Sequence, residues 1–99
     1  MDNIKDFYIR RIEENAVWAK LDEAVMIIAT DDKQEKVLKL NKTAAYLWEI
    51  CDGKIPVGTM IEQLCHKFEV NKETALSDTV VFIEDMKKRG PLAVSVTAV

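Results

Sequence analysis

The sequence is poor in the residues that several kinds of structure and chemistry require. Its 99 residues include three glycines, two prolines, two cysteines and one histidine. So few glycines and prolines exclude a collagen-like or low-complexity chain. A structural zinc site needs four ligands. The sequence offers three soft ligands, the isolated Cys51 and the adjacent Cys65 and His66, so we predict no such site. We therefore predict reduced, buried thiols, no metal and no cofactor.

Long apolar runs and a basic excess are also missing. No apolar run approaches the ~20 residues of a membrane-spanning helix, and residues 1–6 contain no apolar signal core. We expect a cytoplasmic protein that begins at Met1 and binds no membrane. With 14 basic against 17 acidic residues the net charge is −3, whereas nucleic-acid binders usually carry a basic face. We therefore expect no nucleic-acid partner.

Catalytic motifs are missing as well. No nucleophile and base stand in a recognisable arrangement, and no glycine-rich loop could cradle a phosphate. We predict no catalytic residues and a protein that is not an enzyme. The composition that remains, 48% hydrophobic and 31% charged, is that of an ordinary globular domain. The length allows one domain over residues 1–99, with a core at about 10–92 and a tail at 93–99.

The hydrophobic pattern changes near residue 40. Before it, residues 15–21, 24–30 and 36–40 have the alternation or the β-branched apolar runs of strands, and short polar turns separate them. Three strands joined in this way predict an antiparallel meander. Residues 4–12 fit a short strand or a helical turn, and the pattern does not decide between them.

After residue 40 the apolar residues recur at helical spacing. Asn41 is a good N-cap for a first helix that ends near Gly53, a second helix is predicted from about 57 to 68, and Asn71 is the N-cap of a third that Gly90 and Pro91 end. The predicted fold is α+β, with a three-stranded antiparallel sheet followed by three helices. The two short helices before a longer third also predict a winged helix-turn-helix.

The third helix has an unusually wide apolar arc of ~160° at 100° per residue. Such an arc favours two apolar neighbours, of which one is the core. We assign one side of the arc to the core: Ala75, Phe82 and Met86. We assign the other side to a cleft: Leu76, Val80, Ile83 and the stem of Lys87. The alternative, that the whole arc belongs to the core, stays open.

Two segments carry a resemblance to a known family. Residues 40–53, LNKTAAYLWEICDG, resemble the L-N-x-T-A-x-x-I/L-W-x-x-x-D/N-G segment of the PqqD family. Residues 78–90, DTVVFIEDMKKRG, are similar to its D-V-x-x-F-L-x-x-L-x-x-x-G segment. The resemblance covers roughly residues 10–92. The sequence departs from the family at Pro56, where members often have Ser or Thr, and in its uncharged apolar tail, residues 92–99.

The resemblance implies a winged helix-turn-helix-like module that recognises the leader segment of a ribosomally made precursor peptide. In that family the leader adds as a strand beside the third strand and lies against the third helix. A partner maturation enzyme, often a radical SAM protein, then modifies the precursor. Carried onto this sequence, the peptide-binding residues would be Lys36, Val37, Leu38, Lys39, Leu76, Asp78, Val80, Ile83 and Lys87.

Strand addition is physically reasonable because an edge strand exposes unpaired N–H and C=O groups. Backbone bonds would supply affinity, pockets on the helix would supply specificity, and Asp78 at the rim could pair with a basic leader residue. The main alternative is a winged-helix DNA-binding regulator. Residues 73–89, the helix that would enter the groove, hold four acids and three bases, a net charge of −1, which opposes that alternative.

The apolar tail is expected to form a strand, because residues 92–97 alternate. It could pair with an edge of its own sheet, or it could occupy the cleft of a neighbour as a leader mimic and form a tail-swapped dimer. A disordered end and a monomer are the alternatives.

Overall fold

The computed structural model describes residues 4–14, 16–31, 34–89 and 92–95. Within these ranges the chain forms one short 3-10 helix, six strands and three α-helices. Their bounds are Ile4–Asp6 for the 3-10 helix, Tyr8–Arg11 for β1, Ala16–Leu21 for β2, Ala24–Asp31 for β3, Gln34–Leu40 for β4, Lys42–Ile50 for α1, Asp52–Pro56 for β5, Val57–Phe68 for α2, Lys72–Arg89 for α3 and Leu92–Ser95 for β6. The residues around the predicted turn at 32–33, the Gly90–Pro91 junction and the tail beyond Ser95 lie outside these ranges.

The predicted three-stranded antiparallel meander is confirmed, in the order β2-β3-β4. Asp22 turns β2 into β3 with a positive φ of 57°, which Asp tolerates better than most residues. Strand β4 begins at Gln34, earlier than the sequence pattern predicted. The polar residues Gln34 and Glu35 hid this start, because they interrupt the apolar alternation on which the prediction relied.

The core lies between the inner face of this sheet and the helices. Val25 and Ile27 of β3 and Leu38 of β4 point inward and are buried, as alternation along a strand requires. Trp48 of α1 is fully buried among them and belongs to the same hydrophobic core. The order of strands and helices thus confirms the α+β class. The winged helix-turn-helix likeness stays a prediction.

Two of the helices begin with the caps that the sequence predicts. The Asn41 side chain accepts a hydrogen bond from the Ala44 backbone N–H at 2.9 Å, and the Asn71 side chain accepts one from the Thr74 N–H at 2.8 Å. Each satisfies one of the N–H groups that a helix leaves unpaired at its start. These caps therefore fix where the chain turns into α1 and α3.

Helix α2 begins without such a cap, at the site where the sequence departs from the family. Pro56 precedes it and offers no side-chain hydrogen bond. Instead the Val57 N–H donates to the Phe7 carbonyl at 2.8 Å. A Cβ at Gly58 would lie 3.3 Å from the Lys5 Cβ, so the glycine lets the 3-10 helix approach closely. The amino-terminal segment therefore satisfies one of the N–H groups that a helix leaves unpaired at its start.

A second antiparallel sheet, in the order β5-β1-β6, was only partly foreseen. Its central strand β1 resolves the open question over residues 4–12, since Ile4–Asp6 is helical and Tyr8–Arg11 is a strand. Strand β5 was missed, because its Gly53 and Pro56 are both disfavoured in strands. Gly53 has a positive φ of 79°, but it stands inside β5 rather than at the end of α1. The prediction that α1 reaches Gly53 is wrong.

The tail forms a strand where it is described. Leu92–Ser95 pairs antiparallel with β1, from Leu92 opposite Arg11 to Ser95 opposite Tyr8, and Leu92 is buried in the core. This segment therefore belongs to a sheet of its own chain, the second sheet. The tail-swapped dimer remains a prediction.

The two cysteines differ in their surroundings. Both are free thiols, and Cys51 is buried as predicted, whereas Cys65 is half-buried. The Cys51 thiol donates to the Trp48 carbonyl at 3.1 Å, and burial raises its pKa from 9.0 to about 12. The thiolate is therefore scarce at neutral pH, and Cys51 is an unreactive core side chain.

Candidate functional site

Strand β4 lies at an edge of the meander. Among the described strands it pairs with β3 alone, from Val25 opposite Leu40 to Asp31 opposite Gln34. The other side of β4 therefore offers backbone donors and acceptors to a further strand. The exposed Lys39 stands on this edge strand, the type of residue that discourages indiscriminate pairing.

A groove of about 300 Å³ lies beside the carboxyl end of β4. Its walls come from the end of β4, the start of α1 and the middle of α3. The residues that line it are Lys39, Leu40, Asn41, Thr43, Ala44, Asp78, Val81, Phe82 and Asp85. We call this the β4–α3 groove. An edge strand therefore runs directly into a cleft walled by a helix.

The helical wall of the groove combines apolar and acidic side chains. Asp78, Val81, Phe82 and Asp85 stand at i, i+3, i+4 and i+7, which is one face of α3. Phe82 also belongs to the buried core, whereas Val81 is 62% exposed. The wall therefore presents an open apolar patch between two carboxylates two helical turns apart.

Charge in the groove is unevenly distributed. Its lining includes Asp78 and Asp85 on the helix and Lys39 on the strand, a net charge of −1. Asp85 already pairs with Arg89 at 3.0 Å, one turn further along the helix. Since no ion pair is found for Asp78 in the described ranges, its carboxylate is the one open to a basic group of a ligand.

The turn from β4 into α1 sets the remaining wall. Asn41 accepts the Ala44 N–H through its side chain and the Ala45 N–H through its backbone carbonyl, at 2.9 and 2.7 Å. These two bonds hold the chain direction at the point where strand becomes helix. Thr43 and Ala44, in the first turn of α1, are thereby placed on the groove. The small side chain of Ala44 leaves the groove open.

The predicted site residues of β4 fall on both faces of that strand. Leu38 is buried in the core, while Val37 and Lys39 are exposed on the outer face and Lys36 is half-buried. Of the four, Lys39 lines the groove. All four residues contribute backbone groups to the edge of β4. Their role in strand addition stays a prediction.

The predicted site residues of α3 divide differently from the expectation. Asp78 lines the groove, but Leu76, Val80, Ile83 and Lys87 do not. Ile83 is 3% exposed and belongs to the core, so its assignment to the cleft is corrected. At 100° per residue, Val80 and Lys87 lie 200° and 180° around the helix from Asp78. The core assignment of Ala75, Phe82 and Met86 is confirmed.

Leu76 contacts a different cavity. A pocket of about 250 Å³ lies between α2, the start of α3 and the 3-10 helix, and it is lined by Lys5, Gly58, Ile61, Glu62, Lys72, Glu73 and Leu76. Val81, Phe82 and Asp85 were not predicted as groove residues. Their signal is the spacing of Asp78, Val81 and Asp85 on one helix face, whereas the prediction for α3 relied mainly on the apolar arc.

The opposite edge strand, β2, is backed by the protein's own side chains. Trp18 packs edge-to-face on Trp48 with ring centroids 5.9 Å apart. The Arg11 guanidinium lies 5.5 Å from the Trp18 ring and donates to the carbonyls of Trp48 and Glu49, each at 2.8 Å. Arg11 therefore satisfies carbonyls at the end of α1 and links them to Trp18 of β2. We call these residues the Trp18–Trp48–Arg11 cluster.

The described ranges contain neither a cluster of metal ligands nor a helix suited to spanning a membrane. No group of three or more His, Cys, Asp and Glu side chains that could hold a metal ion occurs there. Likewise, none of the helices described combines the length and the apolar character that crossing a bilayer requires.

Comparisons with known proteins agree with the resemblance noted in the sequence. The chain is 29% identical over 56 residues to a PqqA binding protein from Bradyrhizobium diazoefficiens. That match covers 57% of this chain and 54% of the relative, so it spans about half of each. No solved structure matches the chain. The family described as coenzyme PQQ synthesis protein D matches residues 18–92. Because this match covers most of the chain, the protein belongs to the PqqD family.

Proposed function

We propose that this protein is a non-catalytic module that binds an extended segment of a precursor peptide. The segment would add as a strand to β4 and place alternate side chains in the β4–α3 groove. The observation that carries the proposal is the coincidence of a free strand edge with a helix-walled groove at its end. Family membership and a relative named for binding PqqA support it.

The groove supplies the two components that strand addition needs. The free side of β4 can hydrogen-bond any extended chain, which gives affinity with little sequence preference. The alternation of side chains along a strand sends every second residue of the guest toward the groove. There the exposed Val81 and the Phe82 ring offer apolar contact, and Asp78 offers a partner for Lys or Arg. The site therefore favours a guest with alternating apolar and basic residues.

We further propose that the bound precursor is presented to a maturation enzyme, such as a radical SAM protein. Strand addition would hold the leader and leave the rest of the precursor free for modification. The DNA-binding alternative is less well supported, because the open face of α3 carries Asp78 and Asp85, which would face the phosphate backbone.

The proposal is tested by the binding of labelled synthetic peptides. The peptides are PqqA, for which the relative is named, and leader segments of short precursors encoded near this gene. Val81→Gln places a polar amide in the apolar part of the groove without changing charge, and we expect about tenfold weaker binding. Val94→Gln, at an exposed valine of β6, is the matched control and should leave the affinity unchanged.

Amide hydrogen exchange tests strand addition separately. Added backbone hydrogen bonds should slow exchange in residues 36–40 of β4. Residues 16–21 of β2 should exchange as they do in the free protein. Binding without protection in β4 would contradict strand addition but leave peptide binding intact. If none of the peptides bound, the proposed function itself would be wrong.

A further inference from the structure

The outer face of the β2-β3-β4 sheet carries a row of exposed apolar side chains. In the strand register Val17 lies opposite Ile28, and Ile28 lies opposite Val37. Their side chains are 65%, 41% and 59% exposed. Strands about 4.8 Å apart give the row a span of about 10 Å. We call these three residues the apolar row. Contiguous exposed apolar surface of this kind often marks an interaction site.

Two opposite charges flank the row on β4. Glu35 and Lys39 stand two residues before and after Val37, so alternation places all three on the outer face. Each charge lies about 7 Å along the strand from Val37. Both side chains are exposed, and neither forms an ion pair with another described residue. The face therefore combines an apolar centre with a positive and a negative end.

We infer that this face binds a second copy of the chain, with the two-fold axis along the apolar row. Such an axis reverses the strand direction, so each residue of the row lies over its own counterpart. Lys39 then lies over the partner's Glu35, and Glu35 over the partner's Lys39. Stacked sheets are about 10 Å apart, a gap that a Lys and a Glu side chain can span together. The surface is thus complementary to itself in both hydrophobicity and charge.

The charges select this arrangement over the other face-to-face one. A two-fold axis parallel to the strands would lay β4 over β2 of the partner. Since Ala19, Met26 and Lys39 share one row across the sheet, Lys39 would then lie over the partner's Ala19 and find no acid. The inferred axis also leaves the free backbone edge of β4 open at the side, so this dimer is compatible with strand addition and does not depend on it.

Sedimentation equilibrium of the whole protein tests the inference. The mass should rise with concentration from 11.3 kDa toward twice that value. Glu35→Lys and Lys39→Glu each replace two attractive contacts by two repulsive ones, so either should weaken dimerisation by about tenfold. The double variant Glu35→Lys/Lys39→Glu restores both pairs with the charges exchanged. We expect its dissociation constant to return to within about threefold of the original value.

Further variants separate this dimer from others. Ile28→Gln should abolish dimerisation, while Val94→Gln, an exposed valine on the second sheet, should not affect it. Circular dichroism and thermal melting show whether each variant is folded, and the charge variants at exposed positions carry the test if Ile28→Gln does not fold. A protein that stays monomeric up to about 1 mM would overturn the inference. So would a dimer indifferent to the single charge changes, as a tail-swapped dimer would be, or a double variant that stays weak.

Discussion

The two free edges of the β2-β3-β4 sheet differ in what lies beneath them. Strand β2 has six residues and strand β4 has seven, and each pairs with β3 alone among the described strands. Beneath β2, the Trp18–Trp48–Arg11 cluster packs the strand against α1. Beside β4, α3 stands off from the strand and leaves the β4–α3 groove. An unpaired backbone is therefore common to both edges, and the groove walled by α3 is what makes the β4 edge the candidate site.

The largest effect in this comparison is expected at Trp48. Its side chain is fully buried and packs against Trp18 of β2. Trp48→Ala should therefore cost about 3–5 kcal/mol of unfolding free energy. That is a large part of the ~5–15 kcal/mol available to a small domain. Chemical denaturation measures the loss. The indole Nε1 has no hydrogen-bond partner in the described ranges, so Trp48→Phe should cost less than Trp48→Ala, since it removes this unpaired donor.

Arg11 should have the next largest effect. Its guanidinium satisfies the carbonyls of Trp48 and Glu49 and lies against the Trp18 ring. Both hydrogen bonds come from Nη1, and lysine lacks the planar group that makes them while lying against an aromatic ring. We expect Arg11→Lys to cost about 2 kcal/mol, measured by denaturation. Lys20→Ala, which removes an exposed pair with Glu49 at 3.4 Å, is the control and should change stability by less than about 1 kcal/mol. Equal losses of stability for the two variants would show that the contacts of Arg11 with α1 and Trp18 contribute no more than an exposed ion pair.

The sequence was sufficient for the elements whose signals are local. Asn41 and Asn71 mark helix starts by their side-chain chemistry, and the meander follows from period-two alternation. Strand β5 could not be predicted this way, because its Gly53 and Pro56 argue against a strand and its formation depends on pairing with β1, about forty residues earlier. A partner that distant leaves no mark in the local pattern.

The groove shows a similar limit. Its position between the third strand and third helix came from the family resemblance, whereas the residues on its wall depend on the rotation of α3 about its own axis. Ile83 and Phe82 are adjacent in sequence, and both are apolar and buried. Which of them borders the groove is decided by packing against α1 and α2, which the width of an apolar arc does not reveal. The positions of Asp78 and Asp85 indicate the groove-facing side of α3 more directly than the apolar arc does.

A smaller effect is expected in the pH dependence of the unfolding free energy, through the buried thiol of Cys51. Burial raises the pKa of Cys51 from 9.0 to about 12, so the folded state holds this proton more tightly than the unfolded chain. The stabilising contribution is complete below pH 9 and is lost as the pH rises from 9 to 12. At pH 10 the loss should be about 1 kcal/mol. The measurement is the difference in denaturation free energy between pH 8 and pH 10 for the natural protein and for Cys51→Ala.

The half-buried Cys65 provides the control for that measurement. Cys65→Ala removes the other free thiol and should leave the pH dependence unchanged. The ionisable groups that the three proteins share contribute equally to each, so their contribution cancels in the comparison. If Cys51→Ala and the natural protein lost the same free energy, burial of the thiol would not be the cause.

The smallest effect is expected at the rim of the open edge. Asp78 lies on the groove and has no ion pair in the described ranges, and it is exposed to solvent. Asp78→Asn should weaken the binding of a leader peptide with Lys or Arg by a few-fold, mainly through slower association. High salt should remove the difference, because screening acts most on exposed charges. Asp22→Asn, at an exposed acid beside the β2 edge, is the control and should change neither the association rate nor the dissociation rate of the peptide. A large loss that persisted in high salt would instead place Asp78 in a desolvated contact with the peptide, deep in the site rather than at its rim.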